Sequence, residues 1–427
     1  MNSANPVKWI PTAYFAMGLP YVALSLASVI MFADLGIDPA SITFWTSLLL
    51  LPYTIKPIWS PLLELYFTKK AFAVSMQVIV GLCFAAISFM LGNGAWFGAV
   101  LAMMFMISFA GATDDIAVDG IYLTALDKTT QAKYIGWQGA FYNLAKVLVN
   151  GGLVYLAGVL MKHFANGYGN APLIAWRIIV GIMASIMIIV AVYHIFFLPR
   201  GSVNEETPAN FRIAMRSLWD VFRDFFTKRH IWFYIVFIVC YRLTEGFAIK
   251  IVPLFLKAGI GDGGLGLSNE KIGFIYGTLG TIAFIVGSIL SGYYTAHFGL
   301  KKVIFSLVCI FNLPFVLYYL LAVFQPANIV IVATALVTEY LCYGFGFVGL
   351  TLFMMQQVAA GPHPMAHYSF ASGIMNLGFM LPGMISGWTC NLLGFENFFL
   401  LALFMSVPAF ILVLKLPFNK TSTQNAN

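Results

Sequence analysis

The chain has 427 residues, 61% of them hydrophobic and only 9% charged, with a formal net charge of +7. A mean hydropathy of +0.88 leaves too little polar surface for a water-soluble protein of this size, so the bilayer is its solvent. No Walker motif is present, which argues against direct ATP coupling.

A helix needs roughly 20 apolar residues to cross a bilayer core. In chain order, such stretches lie at residues 9–32, 42–67, 72–91, 95–118, 134–160 and 173–198. The first contains Gly18-Leu19-Pro20, follows a single basic residue and lacks a small-residue cleavage site, so it reads as a retained helix and not a signal peptide. The longest polar break, residues 200–230, carries Glu205, Glu206, Arg212, Arg216, Asp220, Arg223, Asp224, Lys228 and Arg229. The spacing of its charges, with Phe222, Phe225 and Phe226 interleaved, predicts a linker helix on the cytoplasmic membrane face. Further apolar stretches follow at residues 231–255, 272–296, 303–324, 329–358, 368–392 and 398–416. The expectation is an all-α membrane protein of twelve transmembrane helices in two six-helix halves, residues 1–199 and 231–427, joined by the cytoplasmic linker 200–230.

With the N-terminus inside, the cytoplasmic segments hold most of the 23 basic residues, among them Lys69, Lys70, Arg200, Arg223, Lys301 and Lys302. The outer segments hold only Lys162, Arg177, Lys257 and Lys271, an asymmetry that places both termini in the cytoplasm. The positive charge therefore needs no nucleic-acid partner. All 5 cysteines fall inside spans with no CxxC pair, so neither disulfides nor structural zinc is expected. His363 and His367 stand four apart, but Pro364 intervenes, and no metal or other cofactor is expected.

Glu64, Asp114, Asp115, Glu245 and Glu339, with Lys56, Lys146, Arg242 and Lys250, lie inside the apolar stretches. A charge at a helix centre costs about 2.5 to 3.5 kcal/mol on insertion scales, so such groups face a bundle interior and pair with one another. At a rise of about 1.5 Å per residue, Lys146, Arg242 and Glu339 fall near the membrane midplane. Arg242 and Glu245 share a helix face at i, i+3. Asp115 and Asp119 share another, from which Asp114 points about 100° away. A depth match suggests a Lys56 to Asp115 ion pair. The expected work is transport: Arg242 or Lys146 holds an anionic group of a ligand, and Asp115, Asp119, Glu245 or Glu339 carries a proton. Buried pairs also serve simply to hold helix register, the role expected of Lys56. Trp45, Trp59, Trp137, Tyr142 and Tyr241 on the charged helices suit the face of a sugar ring, and Asn143 and Gln138 offer neutral hydrogen bonds.

The strings GLP from Gly18, KPIWSPLLE from Lys56, DDIAVDG from Asp114, YRLTEGFA from Tyr241 and TEYLCYGFG from Thr338 resemble the AmpG-type muropeptide permeases and their acetyl-CoA transporter relatives within the major facilitator superfamily. The ends of the second and eighth stretches, Ser60 to Lys70 and Gly292 to Lys302, are similar to degenerate copies of that superfamily's loop motif. The resemblance implies a major facilitator fold and proton-driven import of anhydro-muropeptides or related amino-sugar compounds across the inner membrane; a monomer is expected. Its paired fourth-span acids map onto Asp115 and Asp119. Tyr122, Thr124 and Asn143 stand where the permeases tend to carry charge, with Lys146 one turn later, so another oligosaccharide, a sugar acid or a different polar metabolite is the alternative ligand. A polytopic transferase and a passive channel are the rival classes.

Overall fold

Helix is the only repetitive structure in the computed structural model among the residues it describes: 5–59, 63, 68–126, 128–165, 170–201, 211–361 and 364–418. Without water in the bilayer core, backbone groups must be satisfied inside their own segment, which a helix does and an irregular chain does not. Glu64, the loop positions Ser60, Leu65 and Phe67, Glu205, Glu206 and His363 lie outside the described residues.

Helices α1 (Pro6–Asp34), α2 (Pro39–Leu48), α3 (Leu51–Ile55), α4 (Lys69–Met90), α5 (Trp96–Ala125), α6 (128–164) and α7 (Ala171–Phe197) precede the linker helix α8 (Phe211–Thr227). After it come α9 (Ile231–Tyr241), α10 (Leu243–Lys257), α11 (Asn269–Phe298), α12 (Leu300–Phe324), α13 (Ile329–Val358), α14 (Pro364–Phe404) and α15 (Val407–Leu414). Among the described residues, 9 helical stretches are long and apolar enough to cross a membrane.

Three of the twelve expected stretches are not single uninterrupted helices among the described residues, and the reasons are local. The last stretch, Ala366–Leu414, is long enough for two crossings and breaks at Gly394, whose φ of 71° is a left-handed conformation that favours glycine. The second expected stretch is broken into α2 and α3, with Pro52 opening α3, and passes into a 3₁₀ turn at Lys56–Ile58. The seventh is cut at Arg242, which closes α9 and opens α10 with φ −100° and ψ 4°.

The chain forms two compact units, one of Met1–Ile37 with Leu49–Met215, the other of Asp38–Leu48 with Arg216–Asn427. In the first, Trp9, Ala13, Tyr14 and Met17 of α1 pack against Ala117, Ile121 and Tyr122 of α5. In the second, Tyr234, Phe237 and Tyr241 pack with Phe311 and Phe353. α2 belongs to the second unit: the Gly387 amide of α14 donates to Thr43 Oγ1 at 3.0 Å. A Cβ on Gly387 would run into the Pro39 carbonyl, so only glycine permits this approach. The linker helix is held to the second unit by buried Phe225 and by Lys228, whose Nζ donates to the Val358 and Ala360 carbonyls at 2.8 and 2.6 Å. Burial pushes the Lys228 pKa down, partly offset by Asp224.

Candidate functional site

The break at Arg242 creates an enclosed ionic site. Because α10 begins there, Glu245 sits in its first turn, where the free amide ends of the helix favour a negative charge. Arg242 Nε and Nη2 donate to the two Glu245 carboxylate oxygens at 2.6 and 2.5 Å, a forked pair that an ammonium cannot reproduce. The guanidinium carbon lies 4.7 Å from the Phe379 ring centre and 5.5 Å from that of Phe347, so its faces are covered by π systems. Both residues are buried.

Glu339 of α13 is buried too, and its Oε2 accepts a hydrogen bond from the Tyr318 hydroxyl at 2.6 Å. Glu245 and Glu339 line one narrow pocket, walled by Tyr276, Tyr318, Tyr340 and Tyr343. Tyr276 and Tyr340 meet edge to face at 4.9 Å. Two carboxylates with a guanidinium on one of them and a tyrosine hydroxyl on the other can bind a proton or a small cation.

The first unit carries a more open cluster. Lys56 and Asp115 form an ion pair, with side chains 29% and 15% exposed. The depth match between the second and fourth stretches thus corresponds to a contact. One turn on, Asp119 is exposed and accepts a hydrogen bond from the Tyr14 hydroxyl at 2.9 Å. Asp114 points elsewhere and accepts from Gln77 Nε2 at 3.0 Å.

The other expected ligand contacts are placed differently. Tyr241, expected to face a ligand, is fully buried in the core, and its hydroxyl donates to the Gly346 carbonyl at 2.7 Å. Its position just before the α9 break turns it into the packing side, so here it joins helices. Asn143 spends its amide on the Gly139 carbonyl of its own helix at 2.8 Å. Lys146 Nζ lies 5.7 Å from the Tyr142 ring centre. Sequence reasoning missed Tyr318, Tyr276 and Tyr340, which line the pocket, and Thr12, Gln77 and His194, which join Asp114 in a buried network. Tyr340 had a signal, being adjacent to Glu339; the others sit in runs where nothing distinguishes them from packing residues.

The Major Facilitator Superfamily model matches residues 12–386. This chain belongs to the Major Facilitator Superfamily. It is therefore a multi-pass membrane transporter, and the transferase alternative is set aside. Among curated proteins, it is 25% identical over 409 residues to the anhydromuropeptide permease of Escherichia coli K12, covering 94% of this chain and 77% of that one. It is 21% identical over 416 residues to the putative transporter AmpG 4 of Rickettsia conorii, covering 93% of each. Among solved structures, the nucleoside transporter NupG superposes with a TM-score of 0.70 at 16% identity, covering 98% of this chain and 100% of that one. A bacterial homolog of the human lysosomal transporter Spinster gives 0.74 at 13% identity, with 97% of each covered. These structural likenesses show the fold.

Proposed function

We propose that this transporter imports anhydro-muropeptide or a related amino-sugar compound across the inner membrane, driven by protons. It works as a monomer with both termini in the cytoplasm and needs no cofactor. The substrate reading is supported by the permease relatives, which align with nearly the whole chain. The coupling reading rests on one observation: Glu339 shares a pocket with Glu245, whose carboxylate is already paired with Arg242. One guanidinium cannot neutralise two carboxylates in a buried site, and a proton supplies the missing positive charge. When a second proton binds Glu245, Glu339 keeping the first, the Glu245 fork to Arg242 opens. The freed guanidinium then takes a carboxylate of the ligand. Loss of the proton re-forms the fork and expels the anionic group. Proton and anion thereby travel together.

Lys56, Asp115 and Asp119 act as a supporting ionic cluster in this reading, with Lys56 holding Asp115 in place and Lys146 a second candidate for the anionic group. A different saccharide, sugar acid or polar metabolite is the second reading, favoured by the neutral Tyr122, Thr124 and Asn143 and by the use of Thr124 Oγ1 on its own helix, at the Gly120 carbonyl 2.8 Å away. The test is uptake in proteoliposomes of labelled anhydro-muropeptide against neutral oligosaccharides, with and without an inward proton gradient. Gradient-dependent accumulation of the muropeptide supports the proposal. Accumulation of neutral sugars alone moves the substrate, and uptake indifferent to the gradient removes the coupling.

A further inference from the structure

Four helices of the first unit meet in a polar network that the ion pairs do not use. His194 of α7 is fully buried, with Nδ1 2.7 Å from Gln77 Oε1 of α4 and Nε2 2.9 Å from Thr12 Oγ1 of α1. Gln77, also fully buried, reaches Asp114 of α5 through its other amide atom at 3.0 Å. Thr12 Oγ1 lies in addition 3.1 Å from the Trp9 carbonyl. Asp114 is 1% exposed and its Oδ2 has no hydrogen-bond partner among the described residues.

We propose that Asp114 and His194 are a coupled pair of proton-binding groups, joined by the Gln77 amide, and that they form a second protonation site of the transporter. The proposal rests on the proton-coupled reading for its role in transport, and on hydrogen-bond polarity for its existence. An amide has a donor end and an acceptor end, so its two neighbours must be complementary. In one polarity Gln77 Nε2–H donates to an ionised Asp114, and Gln77 Oε1 accepts from His194 Nδ1–H. In the other the amide is turned over. Asp114 O–H then donates to Oε1, Nε2–H donates to a bare His194 Nδ1, His194 Nε2–H donates to Thr12, and Thr12 O–H donates to the Trp9 carbonyl. In this second chain the Asp114 O–H, one Gln77 N–H, the His194 Nε2–H and the Thr12 O–H each have an acceptor, and Asp114 Oδ2 is left as a neutral carbonyl oxygen. In the first, the orphan oxygen belongs to a buried carboxylate, which costs more.

Changing polarity therefore changes the proton on both ends. The proton leaving Asp114 goes to water. On His194 the proton shifts from Nε2 to Nδ1, or a second proton is taken from water to give the imidazolium, whose Nε2–H still finds Thr12 Oγ1. No heavy atom needs to travel beyond the amide flip. The charged groups that act on this pair are Asp115 and Asp119, on Asp114, and Lys70 of α4, on His194. Tyr53 of α3 is the phenol that acts on Asp114, and Tyr193 of α7, whose hydroxyl donates to the Lys8 carbonyl, lies beside His194. Lys56 is engaged by Asp115, so the first unit holds its proton site apart from its ion pair.

The tautomer of His194 is the direct readout. In purified protein labelled with the heavy nitrogen isotope in histidine, the His194 resonance is assigned by its absence in His194→Gln. Its bound hydrogen is expected on Nε2 while Asp114 is protonated and on Nδ1 once Asp114 ionises as pH rises. Asp114→Asn, which keeps the shape but cannot ionise, should remove the pH-driven change of His194 tautomer and flatten the pH profile of uptake. Gln77→Leu should leave His194 titrating with no dependence on residue 114. A His194 tautomer that follows the same course in wild type and Asp114→Asn overturns the inference. Gradient-independent uptake by wild type with the tautomer switch intact would instead overturn proton coupling, so the two failures are separable.

Discussion

The two units both bury acids and bases, but they satisfy them differently. In the second, Arg242 and Glu245 are locked in a forked pair, 7% and 1% exposed at the side chain, and Glu339 is held by a tyrosine in the same pocket. In the first, Lys56 and Asp115 keep partial access, and Asp119 is exposed. A buried pair that loses one member leaves an uncompensated charge, whereas a partly accessible one can turn to water. The same residue types therefore carry different weight, set by enclosure and not by charge.

That contrast can be broken at its strongest point. Arg242→Ala should destabilise the protein by about 3 to 5 kcal/mol, because Glu245 is left buried and unpaired, and should abolish uptake. Arg242→Lys should rescue stability only in part, since an ammonium cannot fork; thermal unfolding in detergent reads both. Tyr318→Phe removes the donor to Glu339 and should cost about 1 to 3 kcal/mol, with uptake shifted in its pH profile more than in its maximum. In the first unit, Lys56→Ala should cost about 1 kcal/mol or less and impair uptake, and Lys56→Ala with Asp115→Asn should recover part of it. Full activity in Lys56→Ala would remove that pair from the account.

The smallest effect is expected at the cap of α2, where Asp38 Oδ1 accepts from the Ser41 amide at 3.1 Å. Hydrogen bonding from Ser41 holds the Asp38 carboxyl below its usual range. A lowered carboxyl pKa contributes stability above the ordinary carboxylate range and loses it as pH falls through the lowered value. Asp38→Ala should cost about 1 kcal/mol and remove that acid dependence, as read by melting temperature against pH.

Much of this was legible in the sequence, for identifiable reasons. Apolar length announced the helices, and three-residue spacing announced Arg242 with Glu245. Counting residues from helix ends brought Lys56 to the depth of Asp115. What was not legible is azimuth. In stretches that are apolar all round, hydrophobic periodicity no longer says which way a side chain points, so Tyr318, Gln77 and His194 looked like filler and Tyr241 looked like a ligand contact. The break at Arg242 was hidden for a related reason: no proline or glycine marks it, and the apolar run reads straight through. The membership of α2 in the second unit depends on Gly383 and Gly387, hundreds of residues away in sequence, opening room for Ser47 and Thr43.

The most direct test of the central claim compares two transport modes in proteoliposomes holding Glu245→Gln with Glu339→Gln. Gradient-driven accumulation of anhydro-muropeptide requires a proton to be bound and released, whereas exchange of labelled for unlabelled ligand without a gradient does not. The account predicts that the double variant retains exchange and loses accumulation. Accumulation at the wild-type level would contradict it, because the proton would then be travelling by a route that avoids the Glu245 and Glu339 pocket.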